Sequence, residues 1–536
     1  MARWGTVPPT PRPAETGLTP AALQRRAAAV LAEMAPAAVE LGELFAAAGH
    51  ELALVGGPVR DAFLGRGSTD LDFATSARPD ETEAILARWA DAHWDIGRDF
   101  GTIGARRFGR RTDAGETPDV VVEVTTYRTD AYDPSSRKPQ VEFGDTLEGD
   151  LSRRDFTVNA MAVRLPSLTF VDPFGGLADL AARRLRTPVG AEQSFDDDPL
   201  RMMRAARFAA QLGFDLDDDV RAAMTAMAER ITIVSAERVR DELTKLVLAP
   251  DPRPGLEALV DTGLADHVLP ELPALRLEID EHHRHKDVYQ HSLTVLEQAI
   301  ALETGTHEHP TGPVPGPDLV LRLAALLHDV GKPATRRFEP GGGVSFHHHE
   351  VVGAKLVARR LKALRFDKET VQAVARLTEL HLRFHGYGEG QWTDSAVRRY
   401  VTDAGPLLER LHRLTRSDCT TRNRRKAERL RRAYDHLEQR IAQLREAEEL
   451  AAIRPDIDGT RIMAVLGIGP GPEVGEAYRF LLERRMELGP RPPEEAEAAL
   501  LEWWAQRQAG TAPDGGAPDG GGPDGGAPDG GAGAPA

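Results

Sequence analysis

The chain has almost no sulfur with which to cross-link itself. Cys419 is the single cysteine among 536 residues, so an internal disulfide framework is excluded. Long apolar runs are missing too. Nothing approaches a membrane span or a signal-peptide core, and a cytoplasmic protein with no membrane partner is expected. Basic charge is in deficit, with 67 Lys and Arg against 83 Asp and Glu, for a net charge of −16. That balance argues against a protein that coats nucleic acid by global attraction, but it leaves room for a local basic groove. Composition sets no oligomeric state.

Length is present in quantity: 536 residues and 58.4 kDa exceed a single core and suggest three or four domains. A leader over residues 1–25, rich in Pro and Thr at its start, is expected to lack fixed structure. From about Thr19 to Ala48 an Ala/Leu/Glu pattern of helical period leads into a first strand, Leu52 to Val55. Asp70 to Thr75, Val120 to Tyr127, Phe156 to Leu165 and Leu168 to Val171 also read as strands. Residues 26–190 are therefore a small mixed sheet with helices. From about 191 to 508 the period is helical, broken at Pro250 to Pro254, Thr304 to Pro317 and Gly341 to Gly343. The expected fold class is α+β, with helical domains over 191–275, 276–435 and 436–510 after the head. A tail, 511–536, repeats Pro-Asp-Gly-Gly four times, a composition that cannot bury enough surface to fold.

The most informative stretch runs from Val55 to Asp72. A strand breaks at Gly56-Gly57, and Pro58 stands where a helix would begin. Glycines let a phosphate approach the backbone, the first helical turn donates N–H groups, and Arg60 adds charged donors. Asp70 and Asp72 then alternate with Leu71 and Phe73, so both carboxylates face one side of a strand. Two like charges side by side are costly unless a cation bridges them, and Mg²⁺ takes carboxylate and phosphate oxygens together. Solvated acids on an edge strand are the bland alternative. Glu123 interrupts Val-Val-Val-Glu-Val, and either faces solvent or is a third carboxylate beside this pair.

These residues resemble the signature of the class II tRNA nucleotidyltransferase and bacterial poly(A) polymerase family, within the polymerase-beta-like nucleotidyltransferases. Four further blocks follow in the family's order: Arg153-Arg154-Asp155-Phe156-Thr157-Val158-Asn159-Ala160, Asp172-Pro173-Phe174-Gly175-Gly176, Asp197 to Phe208, and Glu237-Arg238-Val239-Arg240-Asp241-Glu242-Leu243. The resemblance implies a catalytic head over 26–190, a neck over 191–275 for base selection and RNA binding, and transfer of C, C and A from CTP and ATP to the tRNA 3′ end. It implies Mg²⁺ at Asp70 and Asp72, Glu123 as the third acid, and Gly56, Gly57, Arg60 and Arg154 as nucleotide contacts. Poly(A) polymerase and an A-only adding enzyme share nearly every one of these motifs and remain open. The segment Asp130 to Asp150 has the composition of a mobile loop; in the family a loop here is needed to switch from C to A, and this chain keeps it at full length.

Asp198 precedes Pro199 and caps a helix; Arg201 follows three residues later, next to it on the helix start. An acceptor-only carboxylate beside a donor-only guanidinium suits the Watson–Crick edges of cytosine and adenine and rejects uracil and guanine. By resemblance these two select the base, while Arg204 and Arg207 continue the stripe toward the triphosphate. The family usually has Glu where this chain has Asp197.

A second constellation, His291, His328-Asp329, His349, His381 and Asp418, resembles the HD metal-dependent phosphohydrolases. Imidazole and carboxylate suit a transition metal or Mg²⁺, so a second divalent metal and hydrolysis of phosphoesters are expected at 276–435. The alternatives are a structural HD fold, or an HD phosphohydrolase acting on RNA ends with a vestigial head. His347 and His348 beside His349 leave the third ligand ambiguous. His282, His283 and His285 read as ordinary residues. The basic run Arg422 to Arg432 reads equally as an RNA contact or a solvated face.

Overall fold

A computed structural model describes residue 19 and residues 36–510, except 68–69, 110, 113–114, 117–118, 132–139, 145, 277–286, 304–315, 341–342, 385–386, 388–391, 422 and 449–453. The expected leader and tail, the tip of the Asp130–Asp150 segment, His282, His283 and His285 lie outside the described residues. So do most of the Thr304–Pro317 break and the first two glycines of the Gly341–Gly343 break.

Seven strands form the sheet of the head: β1 Leu52–Val55, β2 Asp70–Thr75, β3 Ala92–Trp94, β4 Thr102–Arg107, β5 Val120–Thr126, β6 Ala162–Leu165 and β7 Thr169–Val171. Their order is β7-β6-β1-β2-β5-β4-β3. The central pair β2–β5 is parallel and the other neighbours are antiparallel. A parallel pair needs a long crossover. The helix Pro79–Trp89 and the β3–β4 pair supply it, and β4 lines the far side of β5. β1 is apolar and buried along its whole length, as a central strand should be.

Two local readings change. Phe156 to Leu165 is not one strand: Thr157–Asn159 forms a 3₁₀ turn and only Ala162–Leu165 pairs in the sheet. The Asp155 carboxylate accepts from the Phe156 N–H at 2.8 Å and from Asn159 Nδ2 at 2.9 Å, which bends the chain before the strand begins. The Asp130–Asp150 segment is more ordered at its ends than its composition suggests. Arg128–Ala131 pairs antiparallel with Gln140–Phe143, and a helix, Leu147–Ser152, closes it.

Among the described residues beyond 190 the regular structure is helical apart from two short strand pairs, Asp215–Leu216 on Arg184–Leu185 and Arg337–Phe338 on Val344–Ser345. Helices Ala191–Asp197, Leu200–Leu212 and Ala236–Val247 follow the head. Helices Val288–Glu303, Leu319–Leu327, His349–Ala363, Lys368–Leu380 and Leu408–Ser417 come next. Arg322, on Leu319–Leu327, is buried, pairs with Glu303 at 2.8 Å, and donates to the carbonyls of Val247 and Ala249 at 2.9 and 2.8 Å. The last carbonyl of Ala236–Val247, orphaned at a helix end, and that of Ala249 just beyond it are thus satisfied from the next group of helices. A separate compact unit, the described residues of 390–403 and 436–510, has three helices packed around Ile462, Leu481 and Leu500, with Phe480 stacked on Trp503 at 5.1 Å. Among the described residues no helix is long and apolar enough to cross a membrane.

Candidate active sites

In β2, Leu71 and Phe73 are buried while Asp70 and Asp72 face outward, as the alternation demands. β5 runs parallel beside it with Asp72 opposite Glu123, so the side chain of Glu123 lies on the same face. Three carboxylates therefore share one surface. The Asp72 carboxyl is pushed up from its ordinary range, first by desolvation and then by the charges of Glu123 and Asp70, with Arg154 opposing. Negative charge crowded in this way fits a divalent cation.

The cradle lies at the end of β1. Gly56 has φ 74°, so the backbone requires glycine, and a Cβ there would press on the tip of Arg154, 2.9 Å away at Nη1. Pro58 occupies the first turn of the helix Gly57–Phe63. Arg154 is held at the cradle by Asp150, 3.1 Å away and buried. Burial opposes the charge of Asp150, but Arg154 and Arg153 outweigh it and hold the carboxyl below its usual range. The fork of Arg60 is engaged by Asp61 at 2.9 Å and by the Asn159 side-chain oxygen at 2.7 Å.

From Arg60 a buried polar chain runs out of the head. Asn159 donates to Asp155, Arg204 donates to Asp155 at 2.7 Å, and Glu242 takes Arg207 at 2.5 Å with Arg204 3.8 Å away. Burial penalises the charge of Asp155, yet Arg204 and the Asn159 bond hold its carboxyl far below the usual range. Phe208 lies among the guanidinium groups of Arg60, Arg204 and Arg207, at 5.3, 5.5 and 4.0 Å from its ring. Arg204 and Arg207 thus do lie on the stripe read from the sequence, but both are committed to acids.

Asp198 and Arg201 differ from the expected side-by-side pair. Asp198 stands between two helices and its Oδ1 accepts the Leu200 N–H at 3.1 Å, which is a capping bond. Its other oxygen pairs with Arg238 at 2.9 Å. Arg201 is buried and turns inward, donating to Ser194 Oγ at 2.9 Å and to the Arg153 carbonyl at 2.5 Å. A buried guanidinium takes whatever acceptors surround it, and here they are not on its own turn.

The second constellation converges completely. His291 Nε2 lies 2.9 Å from Asp418, His328 Nε2 lies 3.2 Å from Asp329, and His349 Nε2 lies 3.3 Å from Asp329. His381 Nε2 is 3.9 Å from Asp329. In His328, His349 and His381 the Nδ1 atom bonds the carbonyl three residues earlier, at 2.9, 2.8 and 2.6 Å. This fixes each ring and aims a buried Nε2 without a hydrogen-bond partner at the centre. Two ligand-competent triads result, His291–His328–Asp418 and Asp329–His349–His381. Burial works against a proton on His328, but Asp329 and Asp418 overcome it and push the imidazole up to about 10, so the centre favours a cation. His347 and His348 are exposed while His349 is buried, which makes His349 the candidate ligand. Gly331 permits this approach: a Cβ there would meet the His349 carbonyl at 2.0 Å.

Sequence reasoning gave no role to Asp155, Asn159, Arg238, Glu242 or Lys332. Acids inside otherwise apolar or basic blocks were a usable signal for Asp155 and Glu242. Lys332, 2.9 Å from Asp329, lies one helical turn beyond it.

Three family models match in order: "Poly A polymerase head domain" over residues 52–186, "Probable RNA and SrmB- binding site of polymerase A" over 213–275, and "HD domain" over 288–444. The A-adding tRNA nucleotidyltransferase of Deinococcus radiodurans is 35% identical over 468 residues, 86% of this chain and 96% of that protein. The chain belongs to the tRNA nucleotidyltransferase family. Another member, the CC-adding tRNA nucleotidyltransferase of Thermus thermophilus, is 34% identical over 85% of this chain and 94% of its own length. The CCA-adding enzyme of Streptococcus gordonii is 41% identical, over 45% of this chain and 56% of that enzyme. The fold is that of the Bacillus stearothermophilus CCA-adding enzyme in complex with CTP, with TM-score 0.61 and 24% identity over 88% of this chain and 98% of that one.

Proposed function

We propose that this nucleotidyltransferase adds C, C and A to the tRNA 3′ end from CTP and ATP in the cytoplasm, without a nucleic-acid template. The observation that carries the chemistry is the shared face of Asp70, Asp72 and Glu123 beside the Gly56–Gly57 cradle. Mg²⁺ held by these carboxylates would lower the charge of the triphosphate and favour the ionised 3′ hydroxyl. The RNA 3′ oxygen bonds the α-phosphorus while the bond to the bridging oxygen breaks, and pyrophosphate leaves. Gly56 and Gly57 admit the phosphates, and Arg154 places charge at the cradle. Asp198 and Arg201, once turned from Arg238 and the Arg153 carbonyl, read the base edge. In this reading residues 26–190 are the catalytic head, 191–275 the base-selecting neck and 276–435 the HD domain, followed by a helical region over 436–510.

Incubation with tRNA ending before CCA, with CTP and ATP separately and together, tests this. Three added nucleotides, then arrest, are expected. An A-adding enzyme is the second reading, favoured by the relative matched over 86% of the chain. It would extend only tRNA that already ends in CC. A long homopolymer from ATP alone would mean poly(A) polymerase.

The histidine–aspartate centre we assign to a metal-dependent phosphohydrolase. Water bonds phosphorus, the ester P–O bond breaks and the alcohol leaves with a proton. His291, His328, Asp329, His349, His381 and Asp418 would hold the divalent ions, and Lys332 steadies Asp329.

A further inference from the structure

Between Asp329 and His349 the chain leaves the histidine–aspartate centre and returns to it. It forms a short helix, Lys332–Thr335, then the hairpin Arg337–Phe338 on Val344–Ser345. Both ends are tied to the centre. Lys332 Nζ is 2.9 Å from Asp329 and 5.7 Å from the centroid of the Phe346 ring, which is buried. Phe338 pairs with Val344, and paired residues of an antiparallel ladder project to one face. Phe346 follows just past the end of that strand. Val344 and Phe346 are each 4% exposed, but Phe338 is 72% exposed. The hairpin whose return leads to Phe346 beside Lys332 thus carries an open aromatic ring.

Arg336 lies against that ring, its guanidinium carbon 4.7 Å from the centroid. Its Nε is buried and has no hydrogen-bond partner among the described atoms. Stacking on Phe338 accounts for the position of this guanidinium, and among the described residues no carboxylate pairs with it. An aromatic ring with an arginine behind it is a platform on which any nucleobase can stack, and Arg337 and Lys332 add charge that suits a phosphate.

We infer that Phe338, backed by Arg336, binds the nucleobase of a nucleoside phosphoester whose phosphate reaches the histidine–aspartate centre. The inference rests on the phosphohydrolase reading of that centre. It makes nucleotides or RNA ends the preferred substrates over phosphoesters that carry no base.

The test uses the full chain with Mg²⁺ or Mn²⁺ and two probes, adenosine 3′-phosphate and glycerol 2-phosphate, which lacks a base and an aromatic ring. Phe338→Ala should raise KM for adenosine 3′-phosphate about tenfold and leave glycerol 2-phosphate unchanged, and Phe338→Trp should restore the first. Calorimetric titration of adenosine 3′-phosphate into wild type and Phe338→Ala gives a readout without turnover, and binding at the head cancels in the comparison. Equal KM values for wild type and Phe338→Ala on both probes, or an equal rise on both, would overturn the platform while leaving the hydrolase. Hydrolysis of neither probe, with a binding site lost in Phe338→Ala, would overturn the hydrolase and keep the platform. No hydrolysis and no Phe338-dependent binding would sink both.

Discussion

In the head, Asp70 and Asp72 stand on the open side of a strand, whereas His328, Asp329 and His381 in the helical domain are at most 2% exposed. The head offers carboxylates alone, hard ligands that suit a cation arriving with a triphosphate and leaving with pyrophosphate. The helical centre offers imidazoles locked by carbonyls three residues back, ready before any ion arrives. The first arrangement suits exchange of an ion and the second its residence. Both concentrate charge, but the second shields it from water far more completely, so their loss should be felt differently.

Removing a head carboxylate should produce the largest effect. Asp72→Asn is expected to reduce nucleotide addition by about 10³-fold or more, the scale of several kcal/mol of lost charge stabilisation. Its tRNA affinity should stay near wild type in a filter-binding assay. Because the carboxyl of Asp72 is raised in the fold, its charged form works against folding at neutral pH. The same variant should therefore melt slightly higher without Mg²⁺; a lower melting point would contradict the crowding of charge.

Asp329→Ala should abolish metal-dependent phosphoester hydrolysis and leave nucleotide addition running, measured side by side on one preparation. Loss of both would mean that the buried centre holds the whole enzyme together and would erase the contrast between the sites.

Next in size is the polar chain between head and neck. Glu242→Ala leaves Arg207 buried without its acid, which should cost about 3–5 kcal/mol in urea unfolding. A cost below about 1 kcal/mol would show the pair to be solvated.

The smallest effect is one of pH. Asp155 is depressed well below an unfolded value of about 3.9, so its stabilising contribution is present above that value and fades as pH falls through it. Asp155→Asn should be less stable than wild type at neutral pH, with the gap closing below about pH 4. A gap that stays constant would remove the ion pair with Arg204 from the account.

Much of both sites was legible in the sequence because it depends on local periods. Alternation placed Asp70 and Asp72 on one face of β2. The run Leu-Leu-His-Asp at 326–329 ends an apolar helix, and the carbonyl bond of His328 is itself local, to Ala325. Gly56 before Pro58 marked a turn into a helix that needs a positive φ. Such features follow from steric and hydrogen-bonding rules that act over a few residues.

Tertiary structure alone decided what those residues meet. Glu123 faces Asp72 only because β2 and β5 pair in parallel with one register, and a slip of one residue would turn Glu123 to the other side. Six candidate ligands from residues 291 to 418 converge through the packing of separate helices. Arg201 left the Asp198 predicted beside it for Ser194 and the Arg153 carbonyl, and Asp198 took Arg238. A buried charge is satisfied by the acceptors that surround it in space, and sequence spacing does not specify which residues those are.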